Sequence, residues 1–378
     1  MPGIRLESIH KSFGAVKAVN DLNLMIPDKA FMCFLGPSGC GKTTILRMIA
    51  GLEEPTEGRI TIGDTVVFDS KMSLFRPPAD RDMGLVFQSY AIWPHMTVYE
   101  NIAFGLEMKK VKKSEISKRI NDVTRWIRID DLLDRYPSEL SGGQQQRVAM
   151  ARSLAPVPQG LLLDEPLSNL DAKLRVEMRA ELKHIHKEIG QTIIYVTHDQ
   201  QEALSLGTHV AVMNEGVLQQ VAHPLEIYRS PANVFVATFI GMPPINLIEG
   251  ITEKSGNRTY VRAESGAFVL DESTEIGDNQ EVLIGIRPED ITLHPKRDGI
   301  AGWEFAVYSN QPAGAEAVVQ VHSGSGITLT TRMHVDDLLP ENSEVICTFQ
   351  KAHILLFDKR SGVRINADVF VEYNGHRN

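Results

Sequence analysis

Apolar residues in the first two thirds of the chain gather into short continuous runs at 30–35 (AFMCFL), 84–87 (GLVF), 161–163 (LLL), 192–196 (TIIYV) and 210–213 (VAVM). Runs apolar on both faces of the pleat predict strands of a parallel sheet covered by helices on both sides. Between them the period becomes helical. Over 114–130, Ile116, Ile120, Val123 and Ile127 share a face, with Ser114 as the expected cap. Over 172–189, Leu174, Met178, Ile185 and Ile189 do the same, and Gly190 follows as a stop. The texture changes at Gly241-Met242-Pro243-Pro244, a breaker-rich stretch that reads as a linker. Beyond it, short alternating runs at 281–286, 317–321, 344–349 and 352–357, parted by Gly, Asn, Pro and Asp, predict a small all-β sandwich or barrel. The expected division is 1–240 and 241–378.

Composition narrows the function. A chain of 378 residues suits two or three domains at roughly 150 residues each. The net charge of −9 argues against a nucleic-acid surface, and the Lys109–Lys113 cluster reads as a solvated turn. Three cysteines, Cys33, Cys40 and Cys347, are too few for a disulfide framework and fit a reducing compartment. The segment MPGIRLESIH lacks the apolar stretch of a signal peptide. No apolar run reaches the ~18 residues needed to span a membrane, which leaves room for a membrane-embedded partner.

The candidate chemistry falls at strand ends. Gly36-Pro37-Ser38-Gly39-Cys40-Gly41-Lys42-Thr43 follows the first apolar run and opens a helix, with Thr44 next. This is the phosphate-loop pattern: backbone N–H groups wrap phosphates, Lys42 reaches the β and γ phosphates, and the Thr43 hydroxyl serves Mg²⁺. Cys40 reads as a small loop residue. Leu161-Leu162-Leu163-Asp164-Glu165 ends another run. Asp164 fits a metal-side carboxylate. Glu165 comes one residue later, and pleat alternation would point it elsewhere, toward an attacking water. Gln88 and His198 also fall after predicted parallel strands, where open α/β sheets bind ligands. His184 and His186 are two apart on a helix and do not share a face. Finally, Leu140-Ser141-Gly142-Gly143-Gln144 opens a helix with Ser141 as cap and two glycines, a second anion site.

This constellation, in this order, together with Ser168-Asn169-Leu170-Asp171, resembles the ATPase subunit of ABC transporters; Leu-Ser-Gly-Gly-Gln is highly specific to that family. Gln88-Ser89-Tyr90-Ala91, Tyr195-Val196-Thr197-His198-Asp199-Gln200 and Gly285-Ile286-Arg287-Pro288-Glu289-Asp290 resemble its maltose-type importer branch. The resemblance implies an α/β P-loop NTPase with a RecA-like core, an antiparallel β subdomain and a helical subdomain at about 89–158. An all-β OB-like regulatory domain follows.

It also implies two ATPase subunits, identical or paired, facing head to tail. Ser141, Gly142, Gly143 and Gln144 of one then meet the ATP held by Lys42 of the other, which explains two phosphate sites in one chain. By the same resemblance Glu165 is the general base and His198 the switch residue at the γ-phosphate. Gln88 links Mg²⁺ and water to the permease, Asp171 crosses the dimer interface, and Phe13 stacks on adenine. Tyr90, Ile92, Trp93 and Met96 line a groove for the permease's coupling helix. A solute-binding protein joins indirectly, and the subunit sits at the cytoplasmic face of the membrane. Asn310-Gln311-Pro312-Ala313-Gly314-Ala315-Glu316 and Trp303 depart from the pattern of the sugar-importer relatives.

ABC ATPases of DNA repair carry long coiled coils between phosphate loop and signature, and those of translation carry two cassettes per chain. Neither pattern is present in this sequence. The expected solute is a carbohydrate or polyol, with ferric ion, phosphonate or polyamine as the alternatives.

Overall fold

The computed structural model describes residues 3–256, 258–272, 274–297, 300–350, 354–373 and 376–377. It divides into two compact units, Met1–Leu225 and Glu226–Asn378.

In the first unit all five apolar runs are strands of one sheet. Its order is Val217–Ala222, His209–Asn214, Phe31–Leu35, Thr192–Thr197, Gly160–Asp164 and Met83–Val86. The last five are mutually parallel and the Val217–Ala222 edge is antiparallel. Phe31–Leu35, Gly160–Asp164 and Thr192–Thr197 are buried at every position, as a sheet covered on both faces requires. A second, antiparallel sheet runs Val16–Ile26, Ile4–Phe13, Glu57–Ile62, Thr65–Asp69 and Leu74–Phe75. Its inner side chains, including Ile4, Leu22 and Ile60, join Phe34, Val196 and Met213 of the first sheet in one core. The helix Lys42–Ala50 enters that core through Ile45, Leu46 and Ile49. The helices Val98–Met108, Lys113–Trp126 and Gly142–Leu154 pack on one another as a helical layer.

Two local expectations shift. The helix expected over 114–130 spans Lys113–Trp126, and its N-cap is Lys112, so Ser114 lies inside the first turn. The amides of Glu115 and Ile116 bond the Lys112 carbonyl, which starts the helix without a side-chain cap. Its end comes early because Arg128 turns left-handed at φ 55°, although Ile127 stays buried. The helix Ala172–Ile189 matches its expectation and stops at Gly190, left-handed at φ 59°.

The second unit is built from an eight-stranded and a five-stranded sheet that share one core. Strands such as Asn246–Ser255 alternate buried and exposed, the mark of a half-solvated antiparallel sheet. The run at 352–357 is a strand over Leu355–Asp358; Ala352 and His353 lie outside the described residues. Trp303 is a core aromatic, edge-on to Phe268 and Phe349 at centroid distances of 5.0 and 5.1 Å. The departing segment at 310–316 is a hairpin end, turning at Gly314 between Trp303–Ala313 and Glu316–His322.

The helix Val234–Phe239 belongs to this second unit, ahead of the proline pair. Ala237 packs with Ile245, Leu355 and Phe357. The buried Arg287 guanidinium donates to the carbonyls of Tyr228, Ala237 and Ile240 and stacks 4.2 Å over the Tyr228 ring. Those bonds pull the segment from 226 onward into the β unit, so the compact division precedes Gly241.

Candidate active site

The strand Phe31–Leu35 delivers the chain to Gly36, and the loop ends at Gly41, the N-cap of Lys42–Ala50. Gly41 has φ 101°, and a Cβ there would stand 2.3 Å from the Ala18 carbonyl oxygen, so only glycine fits. No side chain caps this helix start. Its first-turn N–H groups therefore remain donors for an anion. The buried Lys42 ammonium lies across the loop and donates to the carbonyls of Gly36 and Pro37, each at 2.8 Å. Cys40 is a buried free thiol beside it.

Thr43 donates its hydroxyl to Asp164 Oδ1 at 2.9 Å, so the helix start and the end of Gly160–Asp164 meet. Burial raises the Asp164 pKa, while the Thr43 bond, Arg47 and Lys42 pull it back. Glu165 is not a strand residue. It turns left-handed at φ 43°, so the turn, not pleat alternation, separates the two carboxylates. Its N–H donates to the Val196 carbonyl at 3.0 Å. Its carboxylate oxygen Oε2 lies 3.2 Å from His198 Nδ1, just beyond Thr192–Thr197. Gln88 follows Met83–Val86 and donates through Nε2 to the Ser168 hydroxyl at 3.3 Å. Five of the expected residues, Thr43, Asp164, Glu165, His198 and Gln88, thus gather at one edge of the parallel sheet.

The Ser141–Gln144 turn is built differently. Ser141 caps Gly142–Leu154, accepting from the Gln144 N–H, and Gln144 Oε1 accepts from the Ser141 N–H at 2.9 Å. Ser141 and Gly142 are exposed. A Cβ on Gly143 would stand 2.8 Å from Leu174 Cδ2, so a larger residue there would have to displace the Leu174 side chain. Asp171 caps Ala172–Ile189 through the Leu174 N–H at 2.9 Å.

Residues 19–168 match the ABC transporter family and 241–291 the MalK OB fold domain. The trehalose/maltose import ATP-binding protein MalK of Thermococcus litoralis is 46% identical across 97% of this chain and all of its own length. The xylose/arabinose import ATP-binding protein XacJ of Haloferax volcanii is 49% identical across 78% of this chain and 75% of its own. An ATP-binding cassette solved as a dimer with ADP and Pi shares 31% identity. It covers 58% of this chain and 98% of its own, with a TM-score of 0.51. This chain belongs to the ABC transporter family.

It is an ABC ATPase: a nucleotide-binding α/β cassette followed by an OB-fold region. The segment after Gln88 in this ABC ATPase is a braced turn. Tyr90 and Ala91 are both left-handed, at φ 61° and 48°. Arg152, on the Gly142–Leu154 helix, donates to both their carbonyls at 2.8 and 2.6 Å and stacks 4.8 Å over Trp93. The fully buried Asn101 amide bonds the carbonyls of Trp93, Met96 and Thr97. Tyr90 is buried, and burial raises its phenol pKa. Ile92, Trp93 and Met96 are half-buried. Phe13 is half-exposed, with the Lys11 ammonium 4.8 Å from its ring centre.

Sequence reasoning assigned no role to Arg152, Asn101 or Arg175. Arg175 donates to the Leu170 carbonyl and pairs with Asp199 and Glu202, joining the Asp171 turn to the segment behind His198. Glu202 in turn accepts from the hydroxyls of Tyr195 and Thr197. A polar or charged residue among the apolar positions of a helix is the signal that could have found them.

Proposed function

We propose that this ABC ATPase hydrolyses ATP to drive import of a carbohydrate or polyol, working as a head-to-tail pair beneath a membrane permease. The observation that carries the reading is the Glu165–His198 contact of 3.2 Å at the same sheet edge as the Thr43–Asp164 pair. The sugar relatives named above support the solute class. No helix among the described residues is long and apolar enough to cross a membrane. Association with the cytoplasmic face therefore runs through the permease partner.

In this reading the uncapped helix start and Lys42 hold the β and γ phosphates of ATP, and Phe13 offers a π face to the base. Glu165 accepts the proton of the attacking water. His198 fixes the Glu165 carboxylate and faces the γ-phosphate. Thr43 and Asp164 present two hard oxygens 2.9 Å apart, a donor set that fits Mg²⁺, and Gln88 is the further candidate to hold it. The buried Asp164 carboxylate, whose charge burial disfavours, is itself relieved by a cation. When bound, Mg²⁺ supplies charge neutralisation of the phosphate oxygens. Ser141, Gly142, Gly143 and Gln144 close on the partner's ATP, and Asp171 lies at that seam. Ile92, Trp93 and Met96, with Tyr90 beneath them, receive the permease. A solute-binding protein acts through that permease. The cassette corresponds to Met1–Leu225, shorter than the expected 1–240, with its helical layer at about 89–158, and the regulatory OB-like domain to Glu226–Asn378.

Glu165→Gln tests the central assignment. Turnover should fall by about 100-fold or more while ATP binding changes little, because the phosphate cradle is intact. The variant should form a lasting dimer with ATP by sedimentation. Near-normal hydrolysis in Glu165→Gln would sink the assignment.

A further inference from the structure

We propose that Ser168 is a positioning residue whose hydroxyl ties Gln88 to the main chain of Glu165. The inference rests on the reading of Glu165 as the base. Ser168 Oγ donates to the Glu165 carbonyl at 2.9 Å, and the Ser168 N–H donates to the same oxygen at 3.2 Å. The same hydroxyl accepts from Gln88 Nε2 at 3.3 Å. The next residue completes the grip: Asn169 Nδ2 donates to the Gln88 carbonyl at 3.0 Å. Gln88 is thus held by side chain and main chain from one dipeptide.

The physical need for the tie lies in Glu165. A non-glycine residue at φ 43° occupies a sparsely populated region and persists there only where neighbours over-determine it. At Glu165 the neighbours are the Val196 carbonyl on its N–H and Ser168 on its C=O. Removing the Ser168 hydroxyl leaves the carbonyl with one longer bond and lets the peptide rotate. The carboxylate would then swing away from His198. Gln88 opens directly into the braced turn at Tyr90 and Ala91, so a displacement of that turn reaches Glu165 through one hydroxyl. Ser168 itself is half-buried and needs no contact with substrate to act this way.

The test is steady-state ATPase kinetics of the full chain carrying Ser168→Ala, Ser168→Cys and Ser168→Thr, with thermal melts beside them. Ala and Cys remove the strong donor, and Cys keeps the size. Both should lower kcat about tenfold with KM within about twofold and an unchanged melting temperature. Thr keeps the hydroxyl and should restore most of kcat. Gln88→Ala combined with Ser168→Ala should cost less than the two single losses multiplied, because they act in one chain of contacts. A Ser168→Ala enzyme with normal kcat, a Thr variant as poor as Ala, or multiplicative losses in the double variant each overturns the proposal. If Thr fails to fold, the Ala and Cys values of kcat still decide. Glu165→Gln measured alongside keeps the two readings apart. Hydrolysis retained there removes the base assignment, whereas its loss beside a normal Ser168→Ala removes only the tie.

Discussion

Two helix starts in this protein look alike in sequence, each glycine-rich and each suited to an anion, yet they are finished in opposite ways. Lys42–Ala50 begins at a left-handed glycine with no side-chain cap, and a lysine stretches over its mouth. Gly142–Leu154 begins at a serine whose capping box is closed on both sides. The first start keeps its donors unspent inside one chain. The second has its third amide satisfied by its own serine and offers only the exposed Ser141 edge and the amides of Gly142 and Gly143. A site that is self-satisfied alone and exposed at its lip fits a role toward another chain.

The strongest way to break that contrast is Ser141→Arg. ATP-driven dimerisation should be abolished in sedimentation, while ATP affinity of the monomer in a binding titration stays within about twofold. Equal loss of both would place Ser141 in its own chain's site. A smaller effect is expected at the other start. Gly41→Ala puts a Cβ against the Ala18 carbonyl at a backbone angle alanine resists. The strain, on the order of 1–3 kcal/mol, should weaken ATP binding about tenfold or more in the monomer itself. Unchanged affinity in calorimetry would mean that the loop is not preorganised.

The smallest effect sharpens the cost of keeping donors unspent. Asp164, bonded to Thr43, has a folded pKa above its ordinary value, with burial as the largest cause. Its ionised form is therefore disfavoured by folding at neutral pH, and the penalty vanishes as pH falls below the ordinary value of about 3.9. Asp164→Asn keeps an oxygen for the Thr43 hydroxyl and sheds the charge. Its melting temperature without nucleotide should rise by about 2–4 °C at pH 7, and the gain should close near pH 4, while hydrolysis is lost. A lower melting temperature at pH 7 would contradict the burial argument.

The parts of this site that could be read from sequence are those where one local rule decides. Apolar runs found all five parallel strands, because a sheet covered on both faces tolerates little else. The phosphate loop was legible because glycine, lysine and threonine each answer a separate demand within eight residues. The Asp164–Glu165 pair was legible in residues and misjudged in geometry. Pleat alternation supposes a strand, and the chain leaves the strand between the two. Ser114 was misjudged because a capable cap does not oblige a helix to start there. Arg152 and Ser168 find their partners 61 and 80 residues away, at Ala91 and Gln88, and no local pattern announces such a meeting. The β unit was legible as alternating strands, but its division into sheets of eight and five depends on pairings across the whole unit.

The buried Arg287 bears on how such chains are cut and recombined. Its guanidinium depends on carbonyls at Tyr228, Ala237 and Ile240. A fragment that starts at the proline pair would strand a buried cation, at a cost of several kcal/mol. A cassette that ended there would keep Tyr228 and the helix Val234–Phe239 but lose the cation that binds them. The seam at which an ABC ATPase of this kind can exchange its OB-fold module, in the laboratory or over descent, therefore runs near Leu225. The glycine and prolines that look like a hinge in the sequence travel with the module.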